Sequence, residues 1–166
     1  MAGKLNPIPN KGTFFGARNL ILQNKSESHK MNILLKQAQL AIEAAVTKAS
    51  DMKVKMNIAV VDSGANLVAY VRMDGAWLGS LDISIKKAQT AVYFQMPSAE
   101  IGKLSQPGGS LYGIEVTNGG IVSFGGGFPI VNDQQQMIGA IGVSGASVKD
   151  DEKVAKAGRD AVGGKG

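Results

Sequence analysis

The chain has 166 residues, 44% of them hydrophobic and 19% charged, the proportions of one ordinary globular domain with a sizeable core. It contains no cysteine and one histidine, His29. That composition excludes disulfides, thiolate metal sites, cysteine nucleophiles and any multi-histidine metal site within one subunit. The net charge of +5 is carried by scattered lysines, and the only local basic groups are Lys53/Lys55 and Lys86/Lys87. No basic stripe with interleaved aromatics accompanies them, so nucleic-acid binding is not expected.

Residues 1–25 are rich in Pro, Gly and Asn and lack a clear period, which predicts an irregular arm. Its apolar residues Phe14, Phe15, Leu20, Ile21 and Leu22 suggest that part of it docks on something. No apolar stretch there resembles the core of a signal peptide, so a cytoplasmic location is expected. No run anywhere approaches the ~20 apolar residues that span a bilayer. A single domain is expected over residues 26–166.

"NKSESHKMNILLKQAQLAIEAAVTKAS" reads as a long helix. Met31, Leu34/Leu35, Ala38, Ala41/Ile42, Ala45 and Ala49 recur at spacings of three and four, and Ser26 or Ser28 is placed to cap its start. "MNIAVVD" and "NLVAYVR" form a hairpin about Ser63-Gly64-Ala65. "GSLDISIKKAQTAVYFQ" is a second helix, with Leu81, Ile85, Ala88, Val92 and Gln95 on one stripe. Pro97 ends it, and a short helix is expected from Ser98 until "SQPGGSLYG" breaks it. "GGIVSF", "GFPIVN" and "QMIGAIGVSGA" then read as three strands, and "DDEKVAKAGRDAV" as a closing helix with acidic residues at its N-terminus. Tight turns make successive strands antiparallel. The expectation is an α+β fold, a five-stranded antiparallel sheet flanked by helices.

The last strand is unusual. Its even positions after Ile138 carry Ala140, Gly142, Ser144 and Ala146, all small. Interiors are close-packed, so something must come down onto this face: a helix backbone, another subunit or a flat ligand. Helix or subunit packing is the plainer reading.

"IAVVDSGANLVAYVRMDGAWLGSLDISIKKAQTAVYF", "GGGFPIVNDQQQMIGAIGVSGAS" and "DDEKVAKAG" together resemble the GlcG/HbpS-like family, which includes the C-terminal domain of PduO-type proteins. "VVD-x-G", "RMDGA", "KA-x-TA", "G-x-PI" and "GAIGVSG" in this order carry the resemblance. It implies a five-stranded sheet of profilin- or roadblock-like type and assembly into homo-oligomers. It also implies binding of haem or a related tetrapyrrole, in haem or corrinoid handling or redox sensing.

The candidate site residues follow. The resemblance to PduO-type relatives makes His29 the candidate haem-iron ligand, and it is the one histidine available. Met31, Met73, Met96, Tyr93 and Tyr112 are weaker alternatives. Lys87 and Thr90 lie three apart on the second helix, on a side shared with Ile83, Ala91 and Phe94. Lys87 there offers a cation for a propionate or other carboxylate, or else an internal pair with Asp62 or Asp74, or a snorkelling side chain. Arg72 in "RMDGA" follows a strand end and can hold a carboxylate bidentately, or pair with Asp74 or Asp62. Gly125-Gly126-Gly127 reads as a tight hairpin, and Asp150–Glu152 as helix N-terminal acids. Two functions are compatible with these residues. One is a haem-binding protein with its pocket between the second helix and the small-residue sheet face. The other is a cofactor-free enzyme on a small carboxylate or carbonyl compound, using Lys87 with Arg72 as anchor.

Overall fold

The structure, a computed structural model, describes residues 32–163. It runs α1 (Leu35–Asp51), β1 (Asn57–Asp62), β2 (Leu67–Arg72), α2 (Ser80–Phe94), α3 (Ser98–Leu104), a 3-10 turn at Ile114–Val116, β3 (Gly127–Val131), β4 (Met137–Ser144) and α4 (Val148–Asp160). Two antiparallel hairpins, β1–β2 and β3–β4, meet through an antiparallel β1–β4 pairing, so the sheet order is β2-β1-β4-β3. The expected caps Ser26 and Ser28, the arm at 1–25, His29 and Met31 lie outside the described residues.

The expected fifth strand does not form. Among the described residues the sheet has four strands, and the profilin/roadblock-like five-stranded architecture is corrected accordingly. The segment "GGIVSF" spends its backbone groups elsewhere. Ile121 N–H donates to Glu115 O at 3.0 Å and Val122 N–H to Thr90 Oγ1 at 3.2 Å. Ser98 Oγ donates to Phe124 O at 2.8 Å. Gly102 of α3 lies so close that a Cβ there would sit 2.1 Å from Ser123 O. The segment therefore lies against α2 and α3, and its β-branched residues are satisfied without a ladder.

One sheet face takes α1 and α4. Ala38, Ala41, Ala45 and Ala49 form the buried stripe of α1. They pack with Ile58, Val60, Ile141, Val143 and Val154 in the main core. Alanine lets α4 come in to backbone contact, since a Cβ on Gly158 would lie 2.7 Å from Ala41 O. Leu34 and Leu35, expected on that stripe, are exposed. Ile138, expected on the small-residue face, is instead the extra residue of a β4 bulge and joins the main core.

The other face takes α2, which answers what covers the glycines. A Cβ on Gly142 would lie 2.0 Å from Ser84 O and 2.5 Å from Ala88 N. Its cross-strand partner Gly127 would place one 2.2 Å from Lys87 O. The helix backbone itself rests on this glycine pair, and Val61, Ala88, Ala91, Val92 and Ala140 fill the small core beneath. The expected pocket between α2 and the small-residue face is therefore closed by α2. Of the expected stripe of α2, Ala88 and Val92 are buried, while Leu81 is half exposed at 41% and Gln95 is exposed; Ser80, Ser84, Lys87, Thr90 and Ala91 complete the buried face. Ser84 and Ala88, which cross the glycine pair, are small, so the helix backbone can reach the sheet there.

Candidate functional site

Lys87 projects from α2 into the junction of β4 and α4 and is fully buried. Its ammonium donates to Asp151 Oδ2 at 2.7 Å and to Val143 O at 2.9 Å, and lies 4.7 Å from the centroid of the Phe124 ring. An ammonium has three donors; two find oxygens and the third side is covered by a π face. Asp151 is equally enclosed. Its Oδ1 accepts Gly145 N–H and Ala146 N–H, each at 3.1 Å. Burial pushes Lys87 down from the lysine range, opposed by the charge and hydrogen bond of Asp151 and by the charge of Glu152. Burial pushes Asp151 up from the carboxylate range, opposed by Lys87 and the two backbone donors.

The pair thus joins α2, β4 and α4, and Asp151 is the partner where Asp62 or Asp74 was expected. Asp62 instead closes its own turn, accepting from Gly64 N–H and Asn66 N–H at 2.9 Å. One signal for Asp151 stood in the sequence. Consecutive acids in a helical first turn point about 100° apart, so Asp150, Asp151 and Glu152 cannot all face the same way. Asp150 faces out, hydrogen-bonded with the N-cap Ser147 and 3.0 Å from Lys153. Asp151 faces in.

The glycine turn belongs to the same knot. Gly126 has φ +117, and a Cβ there would lie 2.7 Å from Val143 O and 2.8 Å from Lys87 Nζ. Its carbonyl accepts Val143 N–H at 2.9 Å.

The other expected site residues separate. Thr90 is buried and bonds Lys86 O and Val122 N–H, holding the 121–124 segment on α2. Phe94 is half-buried at the end of α2, and Tyr93 and Tyr112 are exposed. Met73 packs against the main core and Met96 is half-buried. Arg72 is exposed at the end of the edge strand β2, and neither Asp62 nor Asp74 forms an ion pair with it among the described residues. The structure does not bring Arg72 to Lys87, whose surroundings come from β4, α4 and residues 124–126.

An open groove of about 570 Å³ lies at the end of the sheet where β4 runs into α4. The turn after α1 supplies Lys53 and Lys55, the loop after β2 supplies Gly75 and Trp77, and Gly145–Ser147 form the third wall. Trp77 is 69% exposed. Its loop is anchored from below: Tyr70 donates its hydroxyl proton to Asn57 Oδ1, and Asn57 Nδ2 donates to Trp77 O at 3.0 Å. Burial raises the Tyr70 phenol above its usual range, opposed by Arg72. Sequence reasoning noted the two lysines but missed Trp77. The available signal was an aromatic between glycines, "GAWLG", just past a strand end. Among the described residues no cluster of His, Cys, Asp or Glu is placed to hold a metal ion, and no helix is long and apolar enough to cross a membrane.

The comparisons with known proteins bear on this arrangement. The family model described as "Haem degrading protein HbpS-like" matches residues 33–160. A 15.0 kDa protein of Citrobacter freundii from the dhaT-dhaS intergenic region is 41% identical over 138 residues, covering 82% of this chain and 96% of that protein. The corrinoid adenosyltransferase PduO of Salmonella typhimurium is 37% identical over 114 residues, 68% of this chain but 34% of PduO. This chain thus spans about a third of that enzyme. The crystal structure of the PduOC:heme complex superposes with TM-score 0.76 at 33% identity, covering 81% of this chain and 99% of that one. The match takes in all four strands and all four helices, so the motifs that resembled a family lie on a shared fold, and the chain belongs to the HbpS-like family.

Proposed function

We propose that this protein binds haem or a related tetrapyrrole and serves in haem or corrinoid handling or in redox sensing. The observation that carries this reading is the superposition with the PduOC:heme complex over 99% of that chain. The composition is compatible with it. The chain has one histidine and no cysteine, and His29 is the residue we propose as iron donor, with a methionine, a tyrosine or a threonine as the alternatives. Bound haem supplies a redox-active iron. The chain would supply that donor, apolar contact and cations for the propionates. Arg72 suits the last role, being exposed and free of carboxylate partners among the described residues. Lys87 is bound to Asp151, and its part is to hold α2, β4 and α4 together rather than to meet the ligand.

The protein is further proposed to form a homo-oligomer. Val116 is 87% exposed and Tyr112 70%, with Leu104 and Phe124 also exposed nearby in sequence, an apolar set suited to burial against a second copy.

Titration of the purified protein with haem tests the proposal. A saturable Soret band is expected, with its position shifted and its affinity lowered in His29→Ala. Absence of saturable binding by the wild type overturns the haem reading, and an unchanged spectrum in His29→Ala moves the iron ligand to a tyrosine, methionine or threonine. Light scattering that gives a monomer at micromolar concentrations overturns the oligomer.

A further inference from the structure

The Lys53/Lys55 groove belongs to none of the roles above. Among the described residues, neither lysine has an acidic partner. Both stand beside the exposed Trp77, the only tryptophan of the chain. The groove is open, and its volume of about 570 Å³ is enough to admit a small molecule.

One local choice in the sequence favours an ammonium group over the backbone. Lys53 follows the C-cap of α1 with φ 56, donating its N–H to Ser50 O while Val54 N–H reaches Ala49 O. That closure normally takes glycine, because other residues are strained at positive φ. A lysine there keeps a side chain where the backbone would be better served by none. Opposite it, Gly75 has φ +76, and a Cβ would come within 2.7 Å of Lys55 Nζ. One wall thus accepts strain to carry a cation, and the ammonium of Lys55 lies against Gly75 on the facing wall.

The third wall is rigid. Gly145 N–H and Ala146 N–H, which would otherwise point to solvent or ligand, are both taken by Asp151, itself held by Lys87. The groove therefore offers an aromatic surface and two lysines without acidic partners, and among the described residues no carboxylate lines it.

We propose that this groove binds a planar aromatic carboxylate of one to three fused rings, the ring against Trp77 and the carboxylate on Lys53 and Lys55. The proposal does not depend on the haem reading.

The test is calorimetric titration of the full chain with 2-naphthoate and with its uncharged amide, 2-naphthamide. Naphthoate is expected to bind saturably at one molecule per chain, and the amide roughly tenfold or more weakly, because it lacks the charge-assisted bonds. Trp77→Ala is expected to lower naphthoate affinity by about tenfold, the loss of a stacked aromatic contact. Lys53→Gly is expected to weaken binding by about fivefold while its urea midpoint stays level or rises, since glycine suits the positive φ. That split is the decisive readout, for a merely structural lysine would move both quantities together. Equal affinity for naphthoate and the amide overturns the proposal. So does wild-type affinity in Trp77→Ala or Lys53→Gly, or absence of saturable naphthoate binding up to millimolar concentration.

Discussion

Two lysine groups that look alike along the chain end in opposite surroundings. Lys87 is sealed between Asp151, Val143 O and the Phe124 ring. Its neighbour Lys86 lies outside and pairs with Asp82 at 3.0 Å across one helical turn. Lys53 and Lys55 line an open groove with no acid opposite them among the described residues. A charge taken out of water must find a partner, and its loss leaves that partner stranded. A charge left in water costs little to keep or remove and is free for a ligand. The same side chain is therefore a structural pin at one end of the sheet junction and a candidate ligand contact at the other.

The largest expected effect is at the pin. Lys87→Met should cost about 3–5 kcal/mol, because Asp151 is left as an uncompensated buried carboxylate. Urea unfolding measures it. Adding Asp151→Leu to that variant should recover much of the loss, and a double variant no better than the single one would show that the pair matters for more than its charges.

The pH dependence of the same variant adds a sign. Burial raises Asp151 and Lys87 holds it down, so removing Lys87 raises the folded-state value further. A carboxyl with a raised folded value keeps its proton in the folded state after the unfolded chain has lost it. Stability then falls as pH rises from the ordinary carboxylate range to the folded value. The gap between wild type and Lys87→Met should therefore be smaller near about pH 4 than near about pH 7. A gap that narrows toward neutral pH would contradict a buried charge at Asp151.

Gly126→Ala should come next. It forces an alanine to φ +117 and sets a Cβ against Val143 O and Lys87 Nζ. A cost of about 2–3 kcal/mol is expected, in the range of strained backbone positions. Thr90→Val keeps the shape but removes the acceptor for Val122 N–H. The expected loss is about 1–2 kcal/mol, with faster amide exchange confined to the 121–124 segment. Smallest of all, Lys86→Gln should change stability by less than about 0.5 kcal/mol, as exposed helical pairs do. An effect as large as that of Lys87→Met would mean that burial does not separate the two lysines.

Much of this arrangement was readable from residue pattern. The alanine stripe of α1 follows from its spacing, the β1–β2 hairpin from Ser63-Gly64-Ala65, and the order of the family motifs from plain inspection. The need for something to approach the small-residue face of β4 was also readable, since Ala140, Gly142 and Ser144 cannot fill a core alone. The fifth strand misled because "GGIVSF" has strand-like side chains. Whether such a segment joins a ladder depends on which acceptors it meets first, and here Thr90 and Glu115 reach Ile121 and Val122. Trp77 escaped notice because a lone aromatic carries no period.

Local pattern therefore accounts for the family, the element types and the close approach to β4, because periodicity, turn chemistry and side-chain size act between near neighbours along the chain. The identity of the covering element, the choice of Asp151 for Lys87 over 64 positions of sequence separation and the assembly of three separate turns into one groove belong to the folded chain alone. Burial, desolvation and facing charge exist only once distant segments are packed together, and those quantities tell a pinned lysine from an open one.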